Sequence, residues 1–449
     1  MKQPRETWII NGTLLTQDRK RSVLRANLRI TNGRITAVTR GYPKQGGHKH
    51  NVIDAHNLVI MPGFVQAHVH LCQTLFRNQA DDMELLDWLS KRIWVMEAAH
   101  TEKTLSVSAM LGIYELLSSG TTCILDMGTV RHTDAILNAV QQTGIRANVG
   151  KCLMDNPATT PHYLCESTDK AISEAYELYQ NWNGKENDRI RVSYAPRFVI
   201  SCTERLLREI ATLAKKQGAL VHTHASENLK EIQMVKKLVD CENVEYLHQL
   251  GLTSPQLVLA HCIWLKPNEK NIIRKTGTNI VHCPSSNMKL ASGLAHIPEM
   301  RKRGITVALG ADGAPCNNNL NMFNEMRMAA LIHKPSAGPK SMKALEVLDM
   351  ATREGARALN WFDDIGSLEV GKKADIIAVD LNTPINMLSP SAAGNPEAYA
   401  SSIVYSTSPA QLRWTMVDGK MLYSKQRVLT IDEDKLIKQV KKCSKRKPS

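Results

Sequence analysis

Two histidines at the end of an apolar run are the first residues of this chain whose types and spacing could do chemistry. His68 and His70 follow the segment LVIMPGFV at residues 58–65, with one valine between them. On a β-strand, residues two apart point to the same face. Both imidazoles could therefore bind one metal ion at the end of that strand, although a pair of hydrogen-bonded core histidines has the same spacing.

Three later segments supply the other groups that a metal-dependent hydrolase needs. The run ALVHTH ends in His224, and Glu227 lies about one turn beyond it. The run LVLAH ends in His261, and the run VALGAD ends in Asp312. Together with the first pair, His224 and Asp312 give three imidazoles and one carboxylate, a set that suits one Zn²⁺ or Fe²⁺ ion with an open position for water.

These residue types divide the steps of a hydrolysis among themselves. A divalent metal ion lowers the pKa of its bound water to about 7. Asp312 can accept the proton of that water, Glu227 can carry it to a ring nitrogen of the substrate, and His261 can polarise the attacking water. The set suits attack on an unsaturated carbon that bears an amino or other leaving group. The chain has neither a Walker-type phosphate loop nor a G-x-G-x-x-G turn, which argues against phosphoryl and hydride transfer.

Three positions bear on the number of metal ions and on the size of the ligand set. A second metal usually needs a bridging carboxylate or a carbamylated lysine, and the fourth predicted strand ends in Arg197 instead. Lys151 at the end of the third predicted strand keeps a bridge possible, but one metal ion is favoured. His222 shares the face of His224 at a deeper level and is predicted to be a packed core histidine.

Alternating strand and helix signals in the middle of the chain place these residues in one architecture. Eight predicted strands end at polar or titratable residues, namely His68/His70, Asp126, Lys151, Arg197, His224, His261, His282 and Asp312. Eight βα units in about 300 residues predict an α/β fold of the (β/α)8 TIM-barrel type, whose chemistry collects at the C-terminal ends of the strands.

Both flanks of this region contain short β-like runs and the turn pairs Asn-Gly and Asp-Gly. We expect them to form one small β-sandwich built from both chain ends. The predicted domains are therefore a composite sandwich (1–61 and 369–430), a metal-dependent hydrolase barrel (62–368) and a basic C-terminal helix or tail (431–449).

Composition narrows the class of protein. The 449 residues are 43% hydrophobic and carry a formal charge of +14, with many basic residues in the last fifteen positions. We interpret this tail as a solvated helix end, and no aromatic platform for nucleic acid is evident. No apolar run has membrane-spanning length, the N-terminus lacks the layout of a signal peptide, and ten scattered cysteines indicate reduced thiols. We expect a cytoplasmic homo-oligomer with a small-molecule substrate and no nucleic-acid or membrane partner.

With these motifs the chain resembles the amidohydrolase superfamily, in the branch that acts on adenosine, guanine and triazines. The resemblance covers almost the whole chain. It rests on the motifs PGF (62–64), HCPSSN (282–287), LGADG (309–313) and GSLEVGKKAD (366–375). It implies that His68, His70, His224 and Asp312 are the metal ligands, that Glu227 is the proton shuttle and that His261 is the polarising histidine.

Within that branch, the segment DGAPCNNN (312–319) and the region of Trp88 and Glu97 are similar to 5′-deoxyadenosine and methylthioadenosine/S-adenosylhomocysteine deaminases. The resemblance implies that Glu97 holds the ribose hydroxyls; a surface or capping glutamate is the alternative. Arg197 and Lys151 depart from the methylthioadenosine/S-adenosylhomocysteine pattern, which has histidine and arginine there.

The triplet Pro196-Arg197-Phe198 and Gln73 are instead similar to guanine deaminases, in which the arginine and glutamine read the purine edge. The mixture favours a purine nucleoside deaminase of the 5′-deoxyadenosine type. Its predicted substrate contacts are Gln73, Trp88, Glu97, Lys151, Arg197 and Phe198. The alternatives are a guanine deaminase or a triazine amino- or chlorohydrolase. A catalytically inactive scaffold is a further alternative, but it predicts missing metal ligands, and all the predicted ligands are present. A polynucleotide deaminase is disfavoured because its Pro-Cys-x-x-Cys zinc motif is absent.

Overall fold

The computed structural model describes residues 6–42 and 51–444, which group into two compact units. The first unit contains the described residues up to Val65, Tyr114–Cys123 and Asn321–Asp432. The second contains Gln66–Ile113, Ile124–Leu320 and the described residues from Glu433 onward. The strands of the described residues are, in chain order, β1 (Glu6–Ile10), β2 (Thr13–Leu15), β3 (Val23–Arg25), β4 (Asn27–Thr31), β5 (Arg34–Thr39), β6 (Asn51–Asp54), β7 (Leu58–Pro62), β8 (Phe64–His70), β9 (Thr121–Thr129), β10 (Arg146–Leu153), β11 (Ile190–Pro196), β12 (Val221–Ala225), β13 (Leu257–His261), β14 (Asn279–His282), β15 (Val307–Leu309), β16 (Asp312–Gly313), β17 (Ile376–Asp380), β18 (Leu412–Val417), β19 (Lys420–Ser424) and β20 (Arg427–Val428).

Strands from both chain ends pair with each other in the first unit. One sheet has the order β5-β4-β1-β6, and a second has the order β20-β19-β18-β17-β7-β2-β3. β7 pairs antiparallel with β17, so an early strand is hydrogen-bonded to a late one. Ile9 and Leu28 of the first sheet share one buried apolar cluster with Ile60 and Trp414 of the second. The helices of this unit are Met322–Ile332, Lys334–Ala337, Ala344–Met350, Arg353–Ala358 and Pro396–Tyr405.

The second unit is built on a curled sheet of parallel strands. The sheet has the order β15-β14-β13-β12-β11-β10-β9-β8-β16. Its two terminal strands are separated in the chain by only Gly310 and Ala311, so the sheet curls back on itself as in a TIM-like barrel. The helices of this unit are Leu85–Trp88, Trp94–Ala98, Glu102–Ser118 (its last turn excepted), Thr133–Thr143, Thr168–Trp182, Lys185–Asp188, Glu204–Gln217, Leu229–Val239, Asn243–Gln249, Pro267–Thr276, Pro284–Lys289, Ile297–Lys302, Ala314–Asn317 and Glu433–Ser444.

The helix Glu204–Gln217 illustrates why the sequence folds into βα units here. Thr203 caps its N-terminus by accepting a hydrogen bond from the Leu206 amide, and Gly218 ends it with a φ of 65°. Its buried residues, Leu206, Leu207, Ile210 and Ala214, recur at the three- and four-residue spacing of one helix face. The helix therefore covers the neighbouring strands with this face and leaves its charged face in water.

Two predicted strand ends are wrong. β9 continues past Asp126 to Thr129, and β10 continues past Lys151 to Leu153. The extension of β10 is held by the pairing of Cys152 and Leu153 with β11. Of the predicted basic tail (431–449), Glu433–Ser444 form the last helix, and 445–449 lie outside the described residues. The predicted domain boundaries stay a prediction. None of the described helices is long and apolar enough to cross a membrane.

Replacing Gly128 by alanine is expected to destabilise the second unit by at least about 3 kcal/mol. Gly128 has a φ of 72°, and a Cβ atom there would lie 1.7 Å from the carbonyl oxygen of Gly150. Gly218→Ala is the matched control, because Gly218 has a similar φ of 65° and open space around it. We expect the control to cost only about 1–2 kcal/mol, as measured by urea unfolding; equal costs would contradict the steric explanation.

Candidate metal centre

The ends of three strands bring the predicted metal ligands together. His68 and His70 are on β8, and His224 is the fourth residue of β12. Asp312 begins β16, which pairs with β8 so that Asp312 is opposite Val69. All four ligand side chains are buried. The predicted grouping therefore follows from strand order and register.

Their ligand atoms converge on one small volume. Asp312 Oδ1 lies 3.2 Å from His68 Nε2 and 3.3 Å from His70 Nε2. His70 Nε2 and His224 Nε2 face each other at 3.3 Å. Ligand atoms of His68, His224, His261 and Asp312 all lie within 4.8 Å of one another. This tightest group contains His261, and the predicted ligand His70 adjoins it through the contacts to Asp312 and His224.

The protonation pattern of these rings fits a divalent metal ion. His224 Nδ1 donates a hydrogen bond of 2.8 Å to the carbonyl oxygen of Arg197, so in the neutral ring Nε2 carries the lone pair. His68 Nε2 is buried and has no hydrogen-bond partner. Burial lowers the pKa of His68 and His224, which favours the neutral form that binds metals. Buried, neutral nitrogens that face a carboxylate are the donor set of a zinc-type site.

Four further residues contact the proposed ligands or the residues beside them, and the sequence analysis had predicted only that one of them, His222, is a packed core histidine. His222 is buried, as predicted, and its Nε2 lies 2.8 Å from His68 Nδ1. Ser286 Oγ donates to Asp312 Oδ2 at 2.6 Å, and Asn287 Oδ1 lies 2.8 Å from His261 Nδ1. Glu231 Oε2 accepts from the Glu227 amide at 3.2 Å. Ser286 and Asn287 do belong to the motif HCPSSN, which was therefore an available signal. Such partners set the tautomer and orientation of a metal-binding ring.

Replacing His222 by leucine is expected to weaken zinc binding by about 10–100-fold. When His68 Nε2 faces the metal, its proton is on Nδ1, which then donates to His222 Nε2. Leucine removes that acceptor and frees the His68 ring to turn, while it fills a similar volume at position 222. A chelator competition titration measures the change, and unchanged zinc affinity would contradict the orienting contact. His296→Leu is the control, because His296 is exposed at a helix start.

Glu227 and His261 lie beside the candidate ligands. Glu227 Oε2 is 3.6 Å from His261 Nε2, and His261 Nε2 is 3.8 Å from Asp312 Oδ2. Burial, and then the nearby Asp312 carboxylate, raise the pKa of Glu227 well above its usual value. Burial likewise raises the pKa of Glu231 to about 7. Glu227 is thus suited to hold a proton next to the metal position.

The backbone is strained where the strands deliver these side chains. Ser226, His261, Cys262 and Asp312 have positive φ values of 51°, 72°, 49° and 62°. Each such residue other than glycine costs on the order of 1–3 kcal/mol, and such residues cluster at functional sites. The four lie directly at or after strand ends, which supports a site whose side-chain directions are specified at a cost in stability.

A small pocket opens beside the metal position and contains four of the six predicted substrate contacts. Its lining consists of His70, Gln73, Leu85, Trp88, Leu89, Arg197, Phe198, His224, Glu227, His261, Leu290 and Asp312. Phe198 stacks on His224 with ring centroids 4.5 Å apart. The open volume is only ≈ 10 Å³, room for about one water molecule. A larger substrate therefore requires side chains of the lining to move apart.

The other two predicted contacts, Glu97 and Lys151, are placed differently. Glu97 is hydrogen-bonded to Arg197 and Gln73, which line the pocket, but is not itself a lining residue. Lys151 Nζ is 2.6 Å from Glu166 Oε2 and also donates to the carbonyl of Val130, and its side chain is 1% exposed. None of these Lys151 partners lines the pocket. Because β10 runs past Lys151, the lysine side chain lies within the strand span, and the structure does not bring it to the metal centre.

Comparison with known proteins gives consistent results. A family model described as "Amidohydrolase family" matches residues 59–422. A "5'-deoxyadenosine deaminase" of Methanobrevibacter smithii is 36% identical over 438 residues, covering 97% of each chain. A "5-methylthioadenosine/S-adenosylhomocysteine deaminase" of Nitratidesulfovibrio vulgaris is 38% identical, covering 99% of this chain and 97% of the relative. Among solved structures, an adenosine deaminase from Xanthomonas campestris with bound zinc has a TM-score of 0.88 at 28% identity and covers 97% of both chains.

Proposed function

The chain belongs to the amidohydrolase family, and from this premise we propose that it is a metal-dependent hydrolase of carbon–nitrogen bonds that deaminates adenosine-type nucleosides. The products are the inosine analogue and ammonia. The observation that carries the proposal is the convergence of a buried histidine–aspartate set, Glu227 and His261 on one pocket. The relatives named above support 5′-deoxyadenosine as the leading substrate, with methylthioadenosine and S-adenosylhomocysteine next.

The proposed ligands are His68, His70, His224 and Asp312. Bound there, a divalent ion supplies an acidified water for attack on the purine carbon that bears the amino group. Zinc is the proposed metal, since the donor set suits it and the structural relative was solved with zinc bound. Iron(II) suits the same ligands and stays the alternative.

The chain's own residues move the protons of the reaction. Asp312 accepts the proton that leaves the attacking water, because its carboxylate lies at the proposed metal position, with Oδ1 3.2 Å from His68 Nε2 and Oδ2 3.8 Å from His261 Nε2. Glu227 donates a proton to the adjacent ring nitrogen, which makes the ring carbon more electrophilic. His261 donates or accepts a hydrogen bond at the oxygen that adds to this carbon. Phe198 and Trp88 exclude water from the ring.

One observation favours a second candidate, a guanine deaminase or triazine hydrolase. Arg197 and Gln73 line the pocket, and two of their polar atoms, Arg197 Nε and Gln73 Oε1, are buried without a partner. These atoms are available to hydrogen-bond to the edge of a free base such as guanine, which carries both acceptors and donors there.

Ammonia release by zinc-loaded protein from a matched panel of substrates tests the proposal. The panel consists of 5′-deoxyadenosine, adenosine, methylthioadenosine, S-adenosylhomocysteine, guanine and a chlorotriazine. Turnover confined to the adenosine series supports the nucleoside deaminase and ranks its preference at the 5′ position. Turnover of guanine or of the triazine alone would replace it with the second candidate.

Four wider expectations from the sequence stay proposals. We propose that the two sheets of the first unit form a separate composite sandwich domain, on the ground of their shared core. We also propose a closed (β/α)8 barrel, on the ground that the terminal strands of the curled sheet are two residues apart. A cytoplasmic location and a homo-oligomeric assembly are proposed from the sequence alone.

A further inference from the structure

The pocket beside the metal position is closed in this structure. Its open volume of ≈ 10 Å³ is far below the roughly 300–1,000 Å³ of a site that holds a drug-sized ligand. Leu85, Trp88 and Leu89 form one side of the lining, and all three side chains are buried. A nucleoside can therefore enter only after part of the lining has moved outward.

One segment of the chain, residues 80–93, lies between the pocket and the solvent. The three lining residues just named recur at the three- and four-residue spacing of one helix face, so this face points to the pocket. Ser90, Lys91 and Arg92 of the same segment are exposed. Outward movement of residues 80–93 would thus open the pocket directly to water.

Irregular backbone occurs at both ends of this segment. Asn78 and Asp82 have φ values of 62° and 57°, a conformation that residues other than glycine adopt at a cost. At the other end, Leu89–Ile93 is a π-helical turn between the short helices Leu85–Trp88 and Trp94–Ala98. Such turns are rare and occur frequently at functional sites. Backbone rotation at these two places would move the intervening helix as a unit.

Two ion pairs hold the segment against the rest of the second unit. Glu84 Oε1 accepts a hydrogen bond from Lys230 Nζ at 2.5 Å. Asp81 is paired with Lys289, whose Nζ also donates to Asn318 Oδ1 at 2.6 Å. The side chains of the two pairs are between 25% and 59% exposed, so each pair contributes little and is screened by salt.

The partners of these pairs lie in the loops that carry the candidate site. Lys230 is in the first turn of the helix that follows Glu227. Lys289 ends the helix that begins within the motif HCPSSN. Asn318 belongs to the motif DGAPCNNN, and its carbonyl oxygen accepts from Arg77 Nη1 at 3.0 Å. Both motifs therefore contribute to holding the segment closed, a role that the proposed function does not assign to them.

The inner face of the segment is held by apolar contact. Within the part of the chain that the structure describes, every polar side-chain contact from residues 80–93 to another segment starts at Asp81 or Glu84. The Trp88 indole nitrogen is buried without a hydrogen-bond partner. The segment can therefore lift without breaking any hydrogen bond on its inner face.

We propose that residues 80–93 are a lid, closed in this structure by the two ion pairs, and that its opening admits the substrate to the pocket and a chelator to the metal ion. This inference goes beyond the proposed function, because the opening of a lid can be measured without turnover.

A reversible cross-link across one ion pair tests the lid. A double variant, Glu84→Cys with Lys230→Cys, is joined by a short bis-methanethiosulfonate, whose disulfides a phosphine reductant then cuts. We expect the cross-link to slow both ammonia release from 5′-deoxyadenosine and zinc removal by a chelator at least about tenfold, with recovery on reduction. Unchanged rates in the cross-linked protein would overturn the lid. If the wild-type protein releases no ammonia, the proposed function fails, and zinc removal still tests the lid.

Two controls accompany the cross-link. Asp169→Cys with Arg205→Cys replaces an exposed ion pair that joins two helices outside the mouth of the pocket, and its cross-link should leave both rates unchanged. Wild-type protein treated with the same reagent reports on the partly exposed thiols of Cys165, Cys241 and Cys443.

Hydrogen exchange provides a second test without substrate. Asp81→Asn with Glu84→Gln should speed amide exchange of residues 84–93 about threefold to tenfold, because both surface pairs are lost. The difference from wild type should vanish in about 1 M salt, where the Debye length is only about 3 Å. Asp87→Asn, which breaks an exposed pair with Lys91 inside the lid, is the matched control. Equal exchange of double variant and wild type at low salt, or the same acceleration in the control, would contradict the proposal.

Discussion

Glu227→Gln is expected to leave the metal bound and to lower kcat by about 10²–10⁴-fold. The change removes the proton that Glu227 would donate, but it keeps the size and shape of the side chain. Glu227 is not among the proposed ligands, and its Oε2 lies 3.6 Å from Nε2 of His261, which is not a proposed ligand either. Metal content should therefore stay at the wild-type level.

Steady-state kinetics and metal analysis of the same preparation check this result. Glu209→Gln is the matched control, because Glu209 lies on the surface in a pair with Arg205 and should leave kcat unchanged. If Glu227→Gln keeps full turnover, Glu227 is not the proton donor. If it loses the metal, Glu227 belongs to the ligand set, and the assignment has to be redrawn.

His70→Ala is expected to lower zinc affinity by more than about 100-fold and to abolish turnover at stoichiometric metal. His70 Nε2 lies 3.3 Å from both Asp312 Oδ1 and His224 Nε2, so its removal opens the centre of the ligand set. The measurement is zinc retained after dialysis against a chelator, with activity followed in parallel.

The result also decides whether His70 or His261 is a metal ligand. The tightest group of ligand atoms includes His261 rather than His70. His261→Ala should retain zinc and lose turnover if His261 only contacts the attacking water. A fully metallated His70→Ala together with a metal-free His261→Ala would exchange their assignments. His296→Ala, at an exposed position, is the control for a histidine loss elsewhere.

The grouping of the candidate metal site could be predicted because it depends on strand ends. Each of His70, His224, His261 and Asp312 closes or follows a short apolar run, and parallel strands deliver such ends to one edge of the sheet. The TIM-like curled sheet was predictable for the same reason, from the alternation of strand and helix signals. The family relationship inferred from the motifs is confirmed by the matching family model.

Contacts between residues far apart in sequence could not be predicted in this way. The pairing of Glu97 with Arg197 joins positions 100 residues apart, and only the folded chain shows that these groups neutralise each other. The predicted strand end at Lys151 was wrong because the pairing that extends β10 to Leu153 depends on the neighbouring strand. The contact between His222 and His68 joins two different strands and has no local signal in either.

The most direct test of the central claim is to incubate the zinc-loaded protein with 5′-deoxyadenosine in ¹⁸O-labelled water and to analyse the products by mass spectrometry. Hydrolytic deamination predicts 5′-deoxyinosine with one ¹⁸O atom at the former amino position and one equivalent of ammonia. Release of free adenine, an unlabelled product or unchanged nucleoside with zinc bound would contradict the account.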